Sequence, residues 1–161
     1  MLETNRCKLL ALEEYDYSEV RQLYLNEEVR RFLGGPIDEN SYRSRFIDML
    51  HSNGNSYYWV IRRKQDNAFI GLVSLDNHHN DVDMEVSYQI LPEWWGLGYA
   101  TEVVTSIIAY SFQELGLPRV IAETQVANEA SCQLLRRVGM KLEEIIERFG
   151  SEQAIFSIYK T

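Results

Sequence analysis

The sequence predicts an α+β fold with a central mixed, mostly antiparallel sheet. Three strand-like segments between residues 57 and 91 follow one another with only short polar connections, which is typical of antiparallel pairing. From residue 99 the hydrophobic residues recur with the helical period of about 3.6 instead of 2. Because predicted helices both precede and follow the antiparallel section, we expect helices on both faces of the sheet.

The first third of the chain is predicted to contain one strand and two helical regions. Polar residues at the start of each helical pattern are candidate N-caps, and the run Gly34–Pro36 interrupts the pattern. The predicted elements are a strand at Arg6–Leu12, a helix from Asp16 or Ser18 to about Leu25 with a continuation to Phe32, a helix from Asp38 or Asn40 to about Ser52, and a turn at Ser52–Asn55.

The remainder of the chain is predicted to contain six strands and two helices. Residues 83–91 show the clearest strand pattern, because apolar and polar side chains alternate along them. The predicted elements are strands at residues 57–63, 69–76, 83–91 and 120–126, a long helix that ends before Gly116, a helix from Asn128 to Gly139, and a terminal hairpin of residues 143–149 and 153–159.

Length and composition limit the classes of function. The 161 residues suffice for one domain with a sizeable core, so we expect a single domain over residues 1–161. The formal charge of −8 argues against nucleic acid and is compatible with a cationic substrate such as an amine. No apolar run reaches the roughly 18 residues that cross a bilayer, so no membrane association is expected. Two distant cysteines, Cys7 and Cys132, favour a reducing cytoplasm over a disulfide framework.

The run Leu91–Glu102 lies between a predicted strand and the long helix. Gly96, Gly98 and Ala100 allow a backbone to approach a ligand closely. The helix that begins here presents free N–H groups and the positive end of its dipole. The sequence therefore predicts a phosphate-binding loop at this junction.

Two common phosphate-binding loops do not fit this run. A P-loop needs Gly-Lys-Ser/Thr, but no lysine lies between Lys64 and Lys141. A Rossmann fingerprint needs a third glycine where Thr101 stands, and it opens a parallel βαβ unit, whereas this loop ends an antiparallel section.

A third type of loop fits better. The residues Trp95–Ala100 resemble the (Gln/Arg)-x-x-Gly-x-(Gly/Ala) loop of the GNAT acetyltransferase superfamily, with Trp95 at the Gln/Arg position. Glu85–Gly96 resembles the branch of Rim-type ribosomal-protein N-acetyltransferases and their relatives, and Thr4-Asn5-Arg6 resembles the N-terminal opening of the family. Asn128–Met140 resembles the family's final Asn-x-x-Ser…Gly-Phe/Met helix. The resemblance implies a GNAT-like fold whose strands at 83–91 and 120–126 splay apart.

The resemblance also implies acetyl-CoA as co-substrate, with no metal. Main-chain amides of the loop would bind its pyrophosphate, and its pantetheine arm would pass between the splayed strands. The N–H of Leu91 or Ile90 is the candidate oxyanion donor, and the alternative role of Asn128 is that of a helix N-cap. The cofactor-binding positions carried over from the family are Ile90, Leu91, Trp95, Gly96, Leu97, Gly98, Tyr99, Ala100, Thr101, Asn128 and Ser131.

Several residues are candidates for moving protons. The spacing of Glu123 from Asn128 resembles that of a proposed base in some Rim-type enzymes, and Glu85 is the alternative base. For both glutamates, a salt bridge is the structural alternative. The tyrosine with which many relatives protonate the departing thiolate corresponds to Leu135, which carries no proton. Ser131 is therefore the candidate acid, and a hydrogen bond to the helix backbone is its alternative role.

Other residues receive structural interpretations. We expect His78 and the neighbouring His79 in a surface hairpin and not in a metal site. A nucleophilic role for Cys132 is not expected. Tyr42, Tyr57 and Trp59 are hypothesised to form walls of the acceptor cleft.

Together these features predict a cytoplasmic acetyl-CoA-dependent N-acetyltransferase. It would transfer acetyl directly to a primary amine, at a protein N-terminus or on a small molecule, in a ternary complex. Its partners would be acetyl-CoA and the amine, with no nucleic acid or membrane, and it would act as a monomer or homodimer. A non-catalytic CoA-binding domain is the alternative function, because Leu135 lacks a hydroxyl, and a nicotinamide oxidoreductase is a third.

Overall fold

The chain forms one eight-stranded mixed sheet with helices on both faces, which confirms the predicted fold class. The computed structural model describes residues 1–52 and 54–161, so Asn53 in the predicted turn lies outside the described residues. The strand order is β1-β2-β3-β4-β5-β6-β8-β7, and only the β5–β6 pair is parallel among the strands of the described residues. The strands are β1 (Leu2–Glu3), β2 (Cys7–Ala11), β3 (Tyr57–Arg63), β4 (Phe69–Asn77), β5 (Met84–Ile90), β6 (Arg119–Gln125), β7 (Lys141–Arg148) and β8 (Ser151–Tyr159). The helices are α1 (Tyr17–Tyr24), α2 (Glu27–Arg30), α3 (Glu39–Leu50), α4 (Tyr99–Gln113) and α5 (Glu129–Arg137).

Local capping explains where the structure agrees with the predicted helices and where it differs. The Asp38 side chain accepts a hydrogen bond from the Ser41 amide at 2.7 Å, which starts α3 as expected. The predicted continuation to Phe32 is instead a separate short helix. Asn26 starts this helix, since its side chain accepts the Val29 amide at 3.0 Å. A short N-terminal strand, β1, was not predicted.

Each face of the sheet carries its own hydrophobic core. The larger core packs α4 and α5 against one face and includes Val86, Ile90 and Ile107. The smaller core packs α1 and α3 against the other face and includes Leu72 and Phe46. Burial on both faces fixes the register of the central strands β3, β4 and β5, because shifting a strand by one residue would exchange the side chains that face the two cores.

The parallel strands β5 and β6 touch at a single register pair, Glu85 and Ile121. By contrast, β5 pairs with β4 along its whole length, and β6 pairs with β8 along its whole length. The two strands therefore diverge beyond Glu85, which confirms the predicted splay and leaves a V-shaped opening at the carboxyl end of β5.

Gly71 lies on β4 directly opposite Ile90, at the edge of this opening. A bulge adjoins it, because Ile61 pairs with Gly71 while Arg62 pairs with Phe69. A Cβ atom at Gly71 would lie 2.1 Å from the main-chain oxygen of Gln89. Only glycine therefore permits β4 and β5 to approach this closely.

We expect Gly71→Ala to lower the free energy of unfolding by about 3 kcal/mol, because the methyl group meets backbone that cannot move aside. Urea denaturation followed by circular dichroism measures the change.

Gly34→Ala is the matched control for this substitution. Gly34 has a φ of 91° and nothing within 4 Å of the site of a new Cβ, so alanine there adds backbone strain without a clash. It should cost about 1–2 kcal/mol. Equal losses for the two variants would contradict the importance of the β4–β5 approach.

Candidate functional site

The N-terminus of α4 forms an anion-binding backbone. Gly96 and Gly98 have φ angles of 73° and 83°, which L side chains rarely adopt, and Gly98 is the N-cap. The first helical hydrogen bond of this end runs from the Glu102 amide to the Gly98 oxygen at 3.1 Å. The amides before Glu102 in the first turn therefore have no acceptor within the helix, which leaves them available to bind an anion.

Arg6 holds this loop in place from β2's N-terminal end. Its Nη1 donates to the Leu97 oxygen at 2.9 Å, its Nε donates to Glu102 Oε1 at 2.9 Å, and its guanidinium lies 4.1 Å from the centre of the Tyr99 ring. Thr4 also hydrogen bonds to Glu102. The sequence pattern did not predict this role of Arg6, although the resemblance of Thr4–Arg6 to the family opening was the available signal.

Two tryptophans attach the loop to the end of the sheet. The indole N–H of Trp94 donates to the Phe69 oxygen at 3.0 Å, and that of Trp95 donates to the Ile90 oxygen at 2.8 Å. Trp95 remains 48% exposed, so one side of its ring is accessible at the loop. Both indoles thus position the loop by bonds to main-chain oxygens.

The two candidate oxyanion donors differ in their hydrogen bonding. The Leu91 amide donates to the Ile70 oxygen at 3.0 Å, so the structure removes Leu91 as a free donor. Successive amides of a strand point in opposite directions, and the Ile90 amide therefore points away from β4, toward the opening. Ile90 is the remaining candidate.

The other side of β5 and β6 carries a buried cluster of charged residues. Glu123 has a side chain only 7% exposed, and its Oε1 lies 2.6 Å from His78 Nε2. Its Oε2 lies 3.2 Å from Arg148 Nε, which is close enough for an ion pair but not aligned for a hydrogen bond. The Glu123 amide donates to Glu85 Oε2 at 3.2 Å. The structure therefore brings the two candidate bases together.

His78 is a buried partner of Glu123. The sequence-based expectation of a surface hairpin is wrong for this residue, which is 3% exposed. Its Nδ1 accepts the Asn80 amide at 3.2 Å, which assigns the ring proton to Nε2 and makes His78 the donor to Glu123. His79 instead packs its ring 5.4 Å from that of Phe149. Within residues 1–52 and 54–161, no three or more His, Cys, Asp or Glu side chains are grouped as metal ligands.

The environment of Glu85 alters its ionisation. Burial raises the pKa of this carboxyl from 4.5 to about 7, against the opposing effect of the nearby His78. Asp76 stands directly opposite Glu85 on β4 and adds a further negative charge, with its own oxygens bonded to Tyr58 and Ser56. A carboxyl that titrates near neutral pH is suited to accept a proton from an amine.

The charged cluster lies on the face of the sheet that also carries α1 and α3. Gln89 lies on this face, and its side-chain oxygen is buried without a hydrogen-bond partner among the described residues. Gln125 donates to the Phe32 oxygen at 3.1 Å, which ties the glycine-containing loop after α2 to β6.

The three aromatic residues hypothesised as cleft walls lie elsewhere. Tyr42 is fully buried in the smaller core, where its hydroxyl donates to the Tyr17 oxygen at 2.6 Å. Tyr57 and Trp59 stack on each other in the larger core, on the opposite face. The structure therefore corrects all three assignments, because strand alternation and core packing direct these side chains away from the charged cluster.

The first turn of α5 presents two polar groups toward the opening. The Asn128 side-chain oxygen accepts the Ser131 amide at 3.2 Å, so Asn128 is an N-cap whose amide nitrogen is not used by that bond. The Ser131 hydroxyl lies 2.8 Å from the Tyr88 hydroxyl. Burial raises the pKa of the Cys132 thiol, which disfavours its reactive thiolate form.

The described part of the chain contains no helix with the length and hydropathy required to cross a bilayer.

Comparisons with known proteins agree with this geometry. A family model described as an acetyltransferase (GNAT) domain matches residues 6–141. The uncharacterized N-acetyltransferase YoaA of Bacillus subtilis is 29% identical over 156 residues, covering 92% of this chain and 87% of its own. The putative ribosomal N-acetyltransferase YdaF of the same organism is 36% identical over 146 residues, covering 86% and 79%.

Solved structures share the fold. An acetyltransferase of the GNAT family from Bacillus anthracis superposes with a TM-score of 0.86 at 19% identity, covering 98% of this chain and 97% of its own. The spermidine N-acetyltransferase of Vibrio cholerae, solved in complex with CoA and spermine, gives 0.84 at 22% identity, covering 96% and 95%. With the family model covering most of its length, the chain belongs to the GNAT family of acetyltransferases.

Proposed function

We propose that this protein, acting as a single domain, transfers acetyl directly from acetyl-CoA to a primary amine while both are bound. One observation carries the proposal: the β5–β6 opening has an anion-binding helix terminus at its end and a buried carboxylate pair on one face. The helix terminus suits a diphosphate, and the carboxylates suit an ammonium group. Such a separation holds donor and acceptor on opposite sides of the reacting carbon.

The residues around the opening fit acetyl-CoA. Bare first-turn amides would bind the pyrophosphate, and the Ile90 amide would bond the thioester oxygen as negative charge develops on it. When bound, acetyl-CoA supplies the activated acetyl group. The residues that we propose for its binding are Ile90, Trp95, Gly96, Leu97, Gly98, Tyr99, Ala100, Thr101, Asn128 and Ser131, with Leu91 contributing through packing.

We assign the general base to Glu85 and a positioning role to Glu123. Glu123 is bonded to His78 and pairs with Arg148, so both of its oxygens already face positive or donor groups. Glu85 has one oxygen engaged by the Glu123 amide, and its pKa of about 7 allows it to take a proton near neutral pH. Glu123 therefore holds its own backbone amide, the His78 ring and the Arg148 guanidinium in place near Glu85.

The acceptor is a primary amine, as part of a protein N-terminus or of a small molecule. The negative charges of Asp76, Glu85 and Glu123 lie on the same face and attract a cation. The unpartnered oxygen of Gln89 offers a further acceptor for an ammonium proton. A cytoplasmic location suits the two cysteines, which are free and buried, and a monomer or a homodimer is compatible with the site.

Acetyl-CoA titration followed by a thiol-release assay tests this function. We expect acetyl-CoA to bind in calorimetry, and free thiol to appear when amines from a panel of diamines, polyamines and peptide N-termini are added. Mass spectrometry should show one acetyl group on the amine.

Two outcomes would contradict the proposal. Binding without thiol release for every amine would favour a CoA-binding domain without catalysis. A rise in melting temperature with NADH but not with acetyl-CoA would favour an oxidoreductase.

Arg6→Gln should raise the Kd for CoA about tenfold, because the loop loses two hydrogen bonds and the neutralisation of Glu102. The Kd of Arg6→Lys should lie between those of the wild type and Arg6→Gln, since an ammonium group cannot make both hydrogen bonds in the geometry of a guanidinium. Calorimetry measures affinity, and hydrogen exchange of residues 97–102 should become faster in both variants.

Arg21→Gln is the control for Arg6. Arg21 pairs with Glu39 on the surface between α1 and α3, and its loss should leave CoA affinity unchanged. Normal affinity and normal exchange in Arg6→Gln would contradict the role of Arg6 in holding the loop.

Glu85→Gln should reduce kcat/KM by at least about a hundredfold, because no carboxylate remains to take the amine proton. In the wild type kcat/KM should rise with pH through about 7, as Glu85 ionises, and the variant should lose this limb. Initial rates at constant ionic strength from pH 5.5 to 9 measure the profile.

Glu123→Gln is the matched comparison for Glu85. Glu123→Gln should lose less activity than Glu85→Gln, and its kcat/KM should still rise with pH through about 7. If this rise is instead absent in Glu123→Gln and present in Glu85→Gln, Glu123 is the base.

The pH dependence of stability gives an independent check on Glu85. Because burial raises its pKa, the Glu85 carboxyl contributes stability below about pH 4.5 that is lost as the pH rises through about 7. The wild type should therefore lose stability relative to Glu85→Gln over that interval.

A further inference from the structure

Tyr88 lies on β5, in the stretch where β5 and β6 diverge. Glu85 is the residue at which β5 pairs with β6, and Tyr88 follows it three residues later. The Tyr88 side chain is on the face that carries α4 and α5. Its hydroxyl lies 2.8 Å from the Ser131 hydroxyl in the first turn of α5. The hydroxyl pair thus links β5 to the first turn of α5.

This bond gives Tyr88 a defined hydroxyl direction. The rest of the side chain packs against the larger apolar core, so the hydroxyl is its polar end. From α5, Ser131 and Cys132 are the hydroxyl and the titratable group that face the phenol, and the cross-strand neighbour on β4 is Val73. No carboxylate or cation of the described residues appears among the groups that act on it.

Protonation of the departing CoA thiolate requires a proton donor, and the buried apolar face of α5 does not supply one. Leu135, one turn after Ser131, is 1% exposed and has no ionisable hydrogen. A serine hydroxyl is a far weaker acid than a phenol. A phenol titrates near pH 10 and a thiol near 8.5, so a phenol is the better match for protonating a thiolate. Burial raises the pKa of Tyr88, which keeps its proton in place at neutral pH.

We propose that the Tyr88 hydroxyl, oriented by Ser131, donates the proton to the departing CoA thiolate. The inference rests on the proposed acetyl transfer. The amine nitrogen forms a bond to the acetyl carbon and gives its proton to Glu85, the carbon–sulfur bond breaks, and the thiolate takes the proton of Tyr88. The phenolate, hydrogen bonded by Ser131, regains a proton from water, and Glu85 releases its proton to water. Ser131 is thereby a positioning residue.

Tyr88→Phe tests the proposal with a readout that does not depend on turnover. In calorimetry at pH 7 and pH 9, wild-type protein should bind CoA more tightly than desulfo-CoA, and more so at pH 9, because the hydroxyl donates to the thiolate. The variant should lose this preference while its desulfo-CoA affinity stays within about twofold. Its kcat should fall about tenfold to a hundredfold with little change in the KM for acetyl-CoA.

Two further variants separate chemistry from packing. Tyr110→Phe removes a hydroxyl on α4 from a tyrosine whose ring packs against Tyr57 and Trp59. This variant should keep the wild-type kcat and the wild-type preference for CoA. Ser131→Ala should lose less kcat than Tyr88→Phe and retain part of the CoA preference. Rescue of Tyr88→Phe activity by an acetyl donor with a more acidic thiol would support proton donation.

Other outcomes would overturn the proposal. If Tyr88→Phe keeps wild-type kcat and CoA preference, water protonates the thiolate. If it loses CoA and desulfo-CoA binding in parallel, Tyr88 has a structural role only. If Ser131→Ala loses more activity than Tyr88→Phe, Ser131 is the acid. All of these require an active wild type, so an inactive wild type contradicts the acetyltransferase function itself.

Discussion

The single parallel contact between β5 and β6 is the constraint on which the rest of the site depends. Each strand is bonded along its length to an antiparallel neighbour on its outer side, so both are held while the gap between them widens. Beyond Glu85 the facing main-chain groups lack a strand partner. Such an edge bonds an extended ligand in the manner of an added strand, and it is protected by α4 and α5 on one face.

Charge is arranged in opposite senses at the two sides of this opening. At the N-terminus of α4, the negative charge of Glu102 would repel an incoming anion. Because Arg6 pairs with Glu102, the unpaired amides of the first turn dominate the local electrostatic field. On the face that carries α1 and α3, Arg148 pairs with Glu123, and Glu85 holds its proton to unusually high pH. In the proposed reaction this arrangement would direct the anionic donor and the cationic acceptor to different sides of the opening, which would limit their competition for one site.

Sequence patterns were sufficient for the local elements of the site. The glycine loop, the N-caps Asp38 and Asn128, and the alternation along β5 depend on neighbouring residues, and the structure agrees with each. The contacts that give the site its chemistry join distant residues instead. Arg6 and Glu102 are 96 positions apart, and Tyr88 and Ser131 are 43 apart. No periodicity reports such pairs, so the sequence pattern indicated neither the burial of His78 against Glu123 nor the contact between Tyr88 and Ser131.

The sequence by itself determined most of the order of elements, the position of the glycine loop before α4 and the family, because these follow from local backbone preferences and from short motifs. Only the tertiary structure decided which groups act on one another. It committed the Leu91 amide to Ile70, buried His78 against Glu123, and set Glu85 in surroundings that raise its pKa. Hydrogen-bond partners and burial are properties of strands and helices brought together from distant parts of the chain, and they control how each group ionises and which atoms remain free to bind a ligand.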